Sequence, residues 1–265
     1  RHDPVLVSLP VDDFGHPPTH VLDYLTGINQ TLSEAGQSIA LWTHVRNTAK
    51  ETPVPSERFF DAALVLEEAN PALERQLGAW AVPVVHLNVD AAPGRVVVHR
   101  DEVAAGRLMV EALHGLGYRR LQVLGESLTG RHFSHRDRHR GLTAAADTLG
   151  VVCEFLDMPW WDGRWSKAVR ALTRSADTPV VATDAYALLA LLRWLPHDQP
   201  MACLDDAHTF FLIFRGLTRV TFDRMEMGRL AAHLLLTRLA NPAAALSVAP
   251  LTPVVHLGSS TPARR

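Results

Sequence analysis

Two cysteines in 265 residues, Cys153 and Cys203, are too few for a disulfide framework, and both fall in apolar, strand-like runs. They read as packed free thiols, which fits a reducing compartment. No apolar run reaches the ~18–20 residues that a membrane span requires. The first residues show no signal-peptide pattern, although the chain opens on Arg1 directly before the run Val5-Leu6-Val7-Ser8-Leu9 and so reads as cut at its start. Basic and acidic residues number 26 and 28, for a formal net charge of −2. Without a long Lys/Arg tract, the chain lacks the electrostatic footprint of a stand-alone DNA binder. Gly-x-Ser-x-Gly, Gly-x-Gly-x-x-Gly and Gly-x-x-x-x-Gly-Lys-Ser/Thr are all missing, so the hydrolase elbow, the dinucleotide loop and the phosphate loop have no carrier. Internal repeats, low-complexity tracts and long linkers are absent too. His132, His135 and His139 lie in a base-rich stretch, Arg131 to Arg140, but lack the Cys or acidic partners of a zinc site. No metal or cofactor is implied.

Apolar residues make up 47% of the chain, enough to bury a large core. Short β-branched runs alternate with longer amphipathic ones. Strands are expected over Pro4–Leu9, Ser38–Trp42, Ala62–Leu66, Val82–Leu87, Val96–His99, Leu121–Gly125, Val151–Leu156, Val180–Thr183, Met201–Leu204, Val220–Phe222 and Val254–Leu257. Asp101 can cap a helix over Glu102–Leu116 with the stripe Val103, Leu108, Ala112, Leu113 and Leu116, ended by Gly117. A second clear helix runs over Met227–Leu239 and stops at Asn241-Pro242. Thr52–Arg58 and Leu195–Pro200 read as surface connections. Alternation of this kind makes βαβ units and parallel sheets covered on both faces. Eleven strands overfill one sheet. The expected fold is therefore α/β, two doubly wound parallel-sheet lobes with a ligand cleft between them, residues 1–99 plus 224–248 in one and 100–221 plus 249–265 in the other.

The run Met201 to Leu204 ends on paired acids, Asp205-Asp206, and a strand ending on acids places them at the carboxyl edge of the sheet, where such folds bind ligands. The pair could instead cap a helix near Ala207. Neighbours on one strand point to opposite faces, which argues against shared acid/base work and against an enzyme.

The stretch from Asp205-Asp206 through Leu217-Thr218-Arg219-Val220 to Met225-Glu226-Met227-Gly228 resembles the "Dd … LTtv … emG" signature of LacI/GalR-family bacterial transcription regulators. Further matches follow in order along the chain. They are Leu25-Thr26-Gly27-Ile28, Val82-Pro83-Val84-Val85, Val98 to Asp101 with Ala105-Gly106, and His114 to Arg120. Arg138-His139-Arg140-Gly141-Leu142, Thr178-Pro179 with Thr183-Asp184 and Ala187, and Leu257 to Thr261 complete the set.

The resemblance implies a periplasmic-binding-protein type I-like core that senses a small-molecule effector, a sugar or derivative. It also implies a cytoplasmic homodimer reaching operator DNA through an N-terminal helix-turn-helix domain outside this chain. The alternative on the same architecture is the solute-binding protein of an ABC-type sugar importer. Matched residue by residue, ligand contacts fall on Asp12, Asp13, Phe14, Arg138, Trp165, Thr183, Asp205 and Arg224. Acids would bracket hydroxyls, Arg138 would fork two acceptors, and Trp165 would offer a stacking face. Thr183 departs from the usual Asn, Arg224 from an apolar residue, and Ser259 or Gly258 from the closing Arg. Beside these readings stand plainer ones: Arg138 in a surface ion pair, Asp184 as a helix cap, and Met225 and Met227 in core or dimer packing.

Overall fold

The computed structural model describes residues 3–11, 18, 20–45, 53–68, 70–125, 132–158, 165–172, 174–196, 198–205 and 216–264, apart from the side chains of residues 165, 166, 168 and 186. They form two compact units, 1–100 with 223–251 and 101–222 with 252–265.

In the first unit, β1 (Val5–Val11), β2 (Ile39–Val45), β3 (Ala62–Leu66), β4 (Val84–Leu87) and β5 (Val97–Val98) make a sheet of order β2-β1-β3-β4-β5, parallel throughout. Every residue of β1 and β3 is buried, as a parallel strand covered on both faces demands. The helices are α1 (Val21–Glu34) and α2 (Pro71–Ala79) here, α3 (Glu102–Gly115), α4 (Phe133–Leu149), α5 (Trp165–Ala171) and α6 (Ala185–Trp194) in the second unit, and α7 (Arg224–Ala240) back in the first. Helix α2 starts on Asn70, whose side chain accepts from the Ala72 and Leu73 amides, with Pro71 following. Helices α1 and α7 touch backbone to backbone. A Cβ on Gly27 would strike the Met225 carbonyl, and one on Gly228 would strike that of Tyr24.

In the second unit, β6 (Arg120–Gly125), β7 (Val152–Asp157), β8 (Val180–Ala182), β9 (Met201–Cys203), β10 (Thr218–Thr221) and β11 (Val254–His256) follow the order β11-β10-β9-β8-β6-β7. All pairs are parallel except β11, which runs antiparallel to β10 at the edge. Among the described residues, no helix is long and apolar enough to cross a membrane.

Three local expectations need correction. Helix α3 buries Glu102, Ala105, Met109, Val110 and Leu113 rather than the bulkier stripe, of which only Leu113 is fully buried. Small residues on that face let a neighbouring helix approach. The loop 195–200 is not merely superficial: Gln199 is 6% exposed and donates to the Ser175 and Thr178 carbonyls. Strand β10 begins at Thr218, two residues early, where the Ser260 side chain receives the Thr218 amide. Both cysteines are free; Cys203 is buried, and Cys153 is half-buried, with burial pushing its thiol up to about 11.

Candidate functional site

In the second unit, Ala182 pairs with Cys203, so the chain leaves β8 and β9 side by side. Thr183 and Asp205 follow at once. The ladder persists briefly beyond the strands, with the Thr183 amide donating to Leu124 and the Leu204 amide to Ala182, both at 2.9 Å. These are carboxyl ends, where an open α/β sheet exposes its ligand edge. Asp184 stands beyond them as a cap: its Oδ1 accepts from the Ala187 amide at 2.9 Å, and its Oδ2 from the Thr183 hydroxyl at 3.1 Å.

Arg138, on α4, ties this edge together from beneath. It is 1% exposed. Its Nε and Nη2 donate to the two carboxylate oxygens of Glu102, each at 2.8 Å. Nη1 donates to the Thr183 carbonyl at 2.6 Å, and Nη2 also reaches Asp205 Oδ2 at 3.0 Å. Glycine makes the fork possible. A Cβ on Gly106 of α3 would collide with the Arg138 carbonyl, and one on Gly141 of α4 with that of Val103. Two helices this close let a short acid on one meet a long base on the other. A small cavity beside Thr183 is lined by Val123, His135, His139, Leu142, Phe155 and Asp157. The His139 ring lies 4.0 Å from that of Phe155, and burial holds its pKa below the ordinary histidine value.

The first unit carries its own polar cluster at the ends of β3 and β4. Glu67 and Asn88 both take left-handed backbone conformations, φ 64° and 57°, which non-glycine residues rarely adopt outside constrained sites. Asn88 Nδ2 donates to Glu67 Oε1 at 2.8 Å, and His20 Nε2 lies 3.2 Å from the same oxygen. Burial lowers the His20 pKa, and the field of Glu67 only partly offsets it. Arg224 opens α7 behind the cap residue Asp223 and is 4% exposed. Burial lowers its pKa, and Arg100 adds to the effect against the pull of Tyr24, Glu67 and Asp23.

The expected site residues therefore separate into groups. Arg138, Thr183 and Asp205 share one network; Arg224 belongs to the other cluster. Trp165 is the first residue of α5, its side chain outside the described residues, as are Asp12, Asp13 and Phe14, which follow the last residue of β1. Arg138 does form an ion pair, but a buried one, not a surface pair. Sequence reasoning missed Glu102, Glu67, Asn88, His20 and Arg100. Leu66-Glu67 repeats the strand-then-acid pattern of Leu204-Asp205 and could have been found. Glu102 offered one signal only, a carboxylate in register with the buried Ala105, Met109 and Leu113. Among the described residues, no group of three or more His, Cys, Asp or Glu could hold a metal ion.

Residues 110–261, more than half of the chain, match the family model for the periplasmic binding protein-like domain. No curated protein matches the sequence. A LacI family transcriptional regulator from Enterococcus faecium, solved with bound ribose, is 18% identical with a TM-score of 0.80, covering 98% of this chain and 100% of that one. A LacI family regulator from Mycobacterium smegmatis is 22% identical with a TM-score of 0.73, covering 98% and 99%. One from a Rhodococcus species is 19% identical with a TM-score of 0.77, covering 97% and 98%. Identities this low establish a shared fold.

Proposed function

From the premise that this chain belongs to the periplasmic binding protein-like domain family, we propose that it is the effector-sensing core of a LacI-type transcription regulator. The effector is a small molecule, a sugar or sugar derivative. The observation that carries the reading is the network of Arg138, Thr183 and Asp205, which gathers three distant stretches of sequence at the carboxyl ends of β8 and β9. Asp205 supplies a charge-assisted acceptor for hydroxyls, Thr183 a hydroxyl beside it, and Arg138 the anchor that orients both. Arg224 on the first unit, Asp12, Asp13 and Phe14 after β1, and Trp165 as a stacking face complete the proposed contact set. Support for the sugar class comes from the relative with bound ribose.

No catalytic step is assigned; the output is a change of state. Effector binding shifts the equilibrium between two arrangements of a cytoplasmic homodimer and so alters how its DNA-binding heads meet operator half-sites about one helical turn apart. The effector must bind the two arrangements with different affinity, since equal binding switches nothing.

The test is the coding sequence upstream of Arg1, read together with sedimentation of the chain. About 60 residues encoding a helix-turn-helix, and a dimer at tens of micromolar, are expected. An apolar leader with a cleavage site and a strict monomer would replace the regulator with an importer's solute-binding protein.

A further inference from the structure

We propose that residues 258–264 form a latch: they hold β11, and with it the third of the chain's connections between the two units, against the amino ends of β9 and β10. The proposal is independent of what the protein binds.

The chain passes between the units after Arg100, Phe222 and Leu251. The first two passages run straight into long helices, α3 behind its cap Asp101 and α7 behind its cap Asp223. The third does not. Leu251 is fastened on the first unit, where its amide donates to the His99 carbonyl at 2.9 Å. On the second unit the chain next forms β11, three residues long, at the edge of the sheet with β10 as its one strand neighbour and α3 close by. Val254, His256 and Leu257 are exposed. A strand this short with one open edge is weakly held by itself.

The segment after β11 supplies the hold. Ser260 sits between the amino ends of β9 and β10 and serves both. Its hydroxyl donates to the Met201 carbonyl at 2.6 Å and accepts from the Thr218 amide at 2.8 Å. Its amide donates to the Gly216 carbonyl at 2.8 Å, and its carbonyl accepts from the Met201 amide at 3.0 Å. A serine hydroxyl, at once donor and acceptor, suits that double duty. The Thr218 hydroxyl accepts from the Gly258 amide at 2.9 Å and meets the Thr261 hydroxyl, and both threonines are buried. A Cβ on Gly258 would strike the Gly216 carbonyl, so glycine lets the two backbones close up. Farther along, the Pro262 carbonyl accepts from the Tyr118 hydroxyl at 2.8 Å, and the Arg264 amide donates to the Leu116 carbonyl at 2.7 Å, just past α3.

The Arg264–Asp177 ion pair is solvated and adds little. The bonds around Ser260 and Thr218 carry the latch, because withdrawing Ser260 takes partners from the buried Met201 and Thr218. Opening it frees β11 while β6 and β8, on the other side of β9, stay paired. The device is a local opening, separate from global unfolding.

The test is amide hydrogen exchange, read by mass spectrometry on the full chain and on Ser260→Ala, Thr218→Val and Thr218→Ser. In Ser260→Ala, residues 252–258 are expected to exchange about tenfold faster or more, as the loss of two buried hydrogen bonds implies. Strands β1, β3, β6 and β8 should keep their wild-type rates. Thr218→Val should speed exchange of the same segment, and Thr218→Ser, which keeps the hydroxyl, should return it to the wild-type rate. Unchanged exchange of residues 252–258 in Ser260→Ala overturns the proposal, since β11 then holds itself. A matching rise across β6 and β8 overturns it too, because the segment would then belong to the cooperative core. If Ser260→Ala does not fold, the two Thr218 variants decide by the same readings.

Discussion

Glu102 opens α3 and Arg138 lies one turn into α4, 36 residues later, yet their side chains meet in a bidentate pair shielded from solvent. Buried pairs of this kind add little net stability when whole, because desolvation offsets attraction, but breaking one strands a charge. Glu102→Ala or Arg138→Ala should each destabilise the protein by about 3–5 kcal/mol in urea denaturation. The double variant Glu102→Ala with Arg138→Ala should lose much less than the two single effects together. Additive losses would mean that the two side chains are not coupled.

Gly141 faces the Val103 carbonyl across the contact between α3 and α4. Gly141→Ala forces the helices apart and should cost about 1–3 kcal/mol net, despite the gain of about 1 kcal/mol that alanine normally brings to a helix interior. A melting temperature equal to or above that of the wild type would show that the helices are not in contact there.

Stability should fall on acidification in two windows. Burial holds the His20 pKa down, so the unfolded chain binds a proton that the folded chain resists. Stability is therefore full above the unfolded value and declines as pH drops below about 6.5. Glu74 adds a lower window. Burial pushes its carboxyl up, but the hydrogen bond and field of His86 and the charge of Arg95 outweigh burial and lower its pKa. An acid with a depressed folded pKa loses its contribution as pH falls through that pKa. His139 and His256, whose pKa values burial also lowers, contribute to the same upper window, so His20→Gln should make that window shallower without abolishing it and leave the lower one; equal slopes in both proteins near pH 6 would contradict the assignment.

Asp223 caps α7 by accepting from the Glu226 amide at 2.8 Å. Asp223→Ala should cost about 0.5–2 kcal/mol, while Asp223→Ser should keep most of the stability. An equal loss in both variants would place the effect elsewhere.

All eleven strands among the described residues were legible, because an apolar run of three to six residues between polar turns has few other readings, and Asp101 and Asp184 identify themselves as caps by type and position, whereas Asp223 did not, since the helix it caps starts three residues before the expected Met227. Helix faces were less legible. Reading Leu108 and Leu116 as the buried stripe of α3 favours bulk, whereas a helix in backbone contact with its neighbour buries Ala105 and Gly106. That choice also hid Glu102, whose partner lies on another helix and cannot be inferred from local spacing. The polar network of the second unit was legible in part: Arg138, Thr183 and Asp205 all stood out, but their shared centre is a contact no single segment contains.

The most direct test of the sensing account is thermal unfolding of the chain against neutral sugars, sugar phosphates, nucleobases and small acids, with Asp205→Ala in parallel. A ligand at ~100 times its Kd contributes about 2.7 kcal/mol, which in a protein of this size raises Tm by roughly 5–10 °C. The account predicts such a shift with a neutral sugar and its loss in Asp205→Ala. A panel without any shift, or a shift that survives in Asp205→Ala, would contradict it.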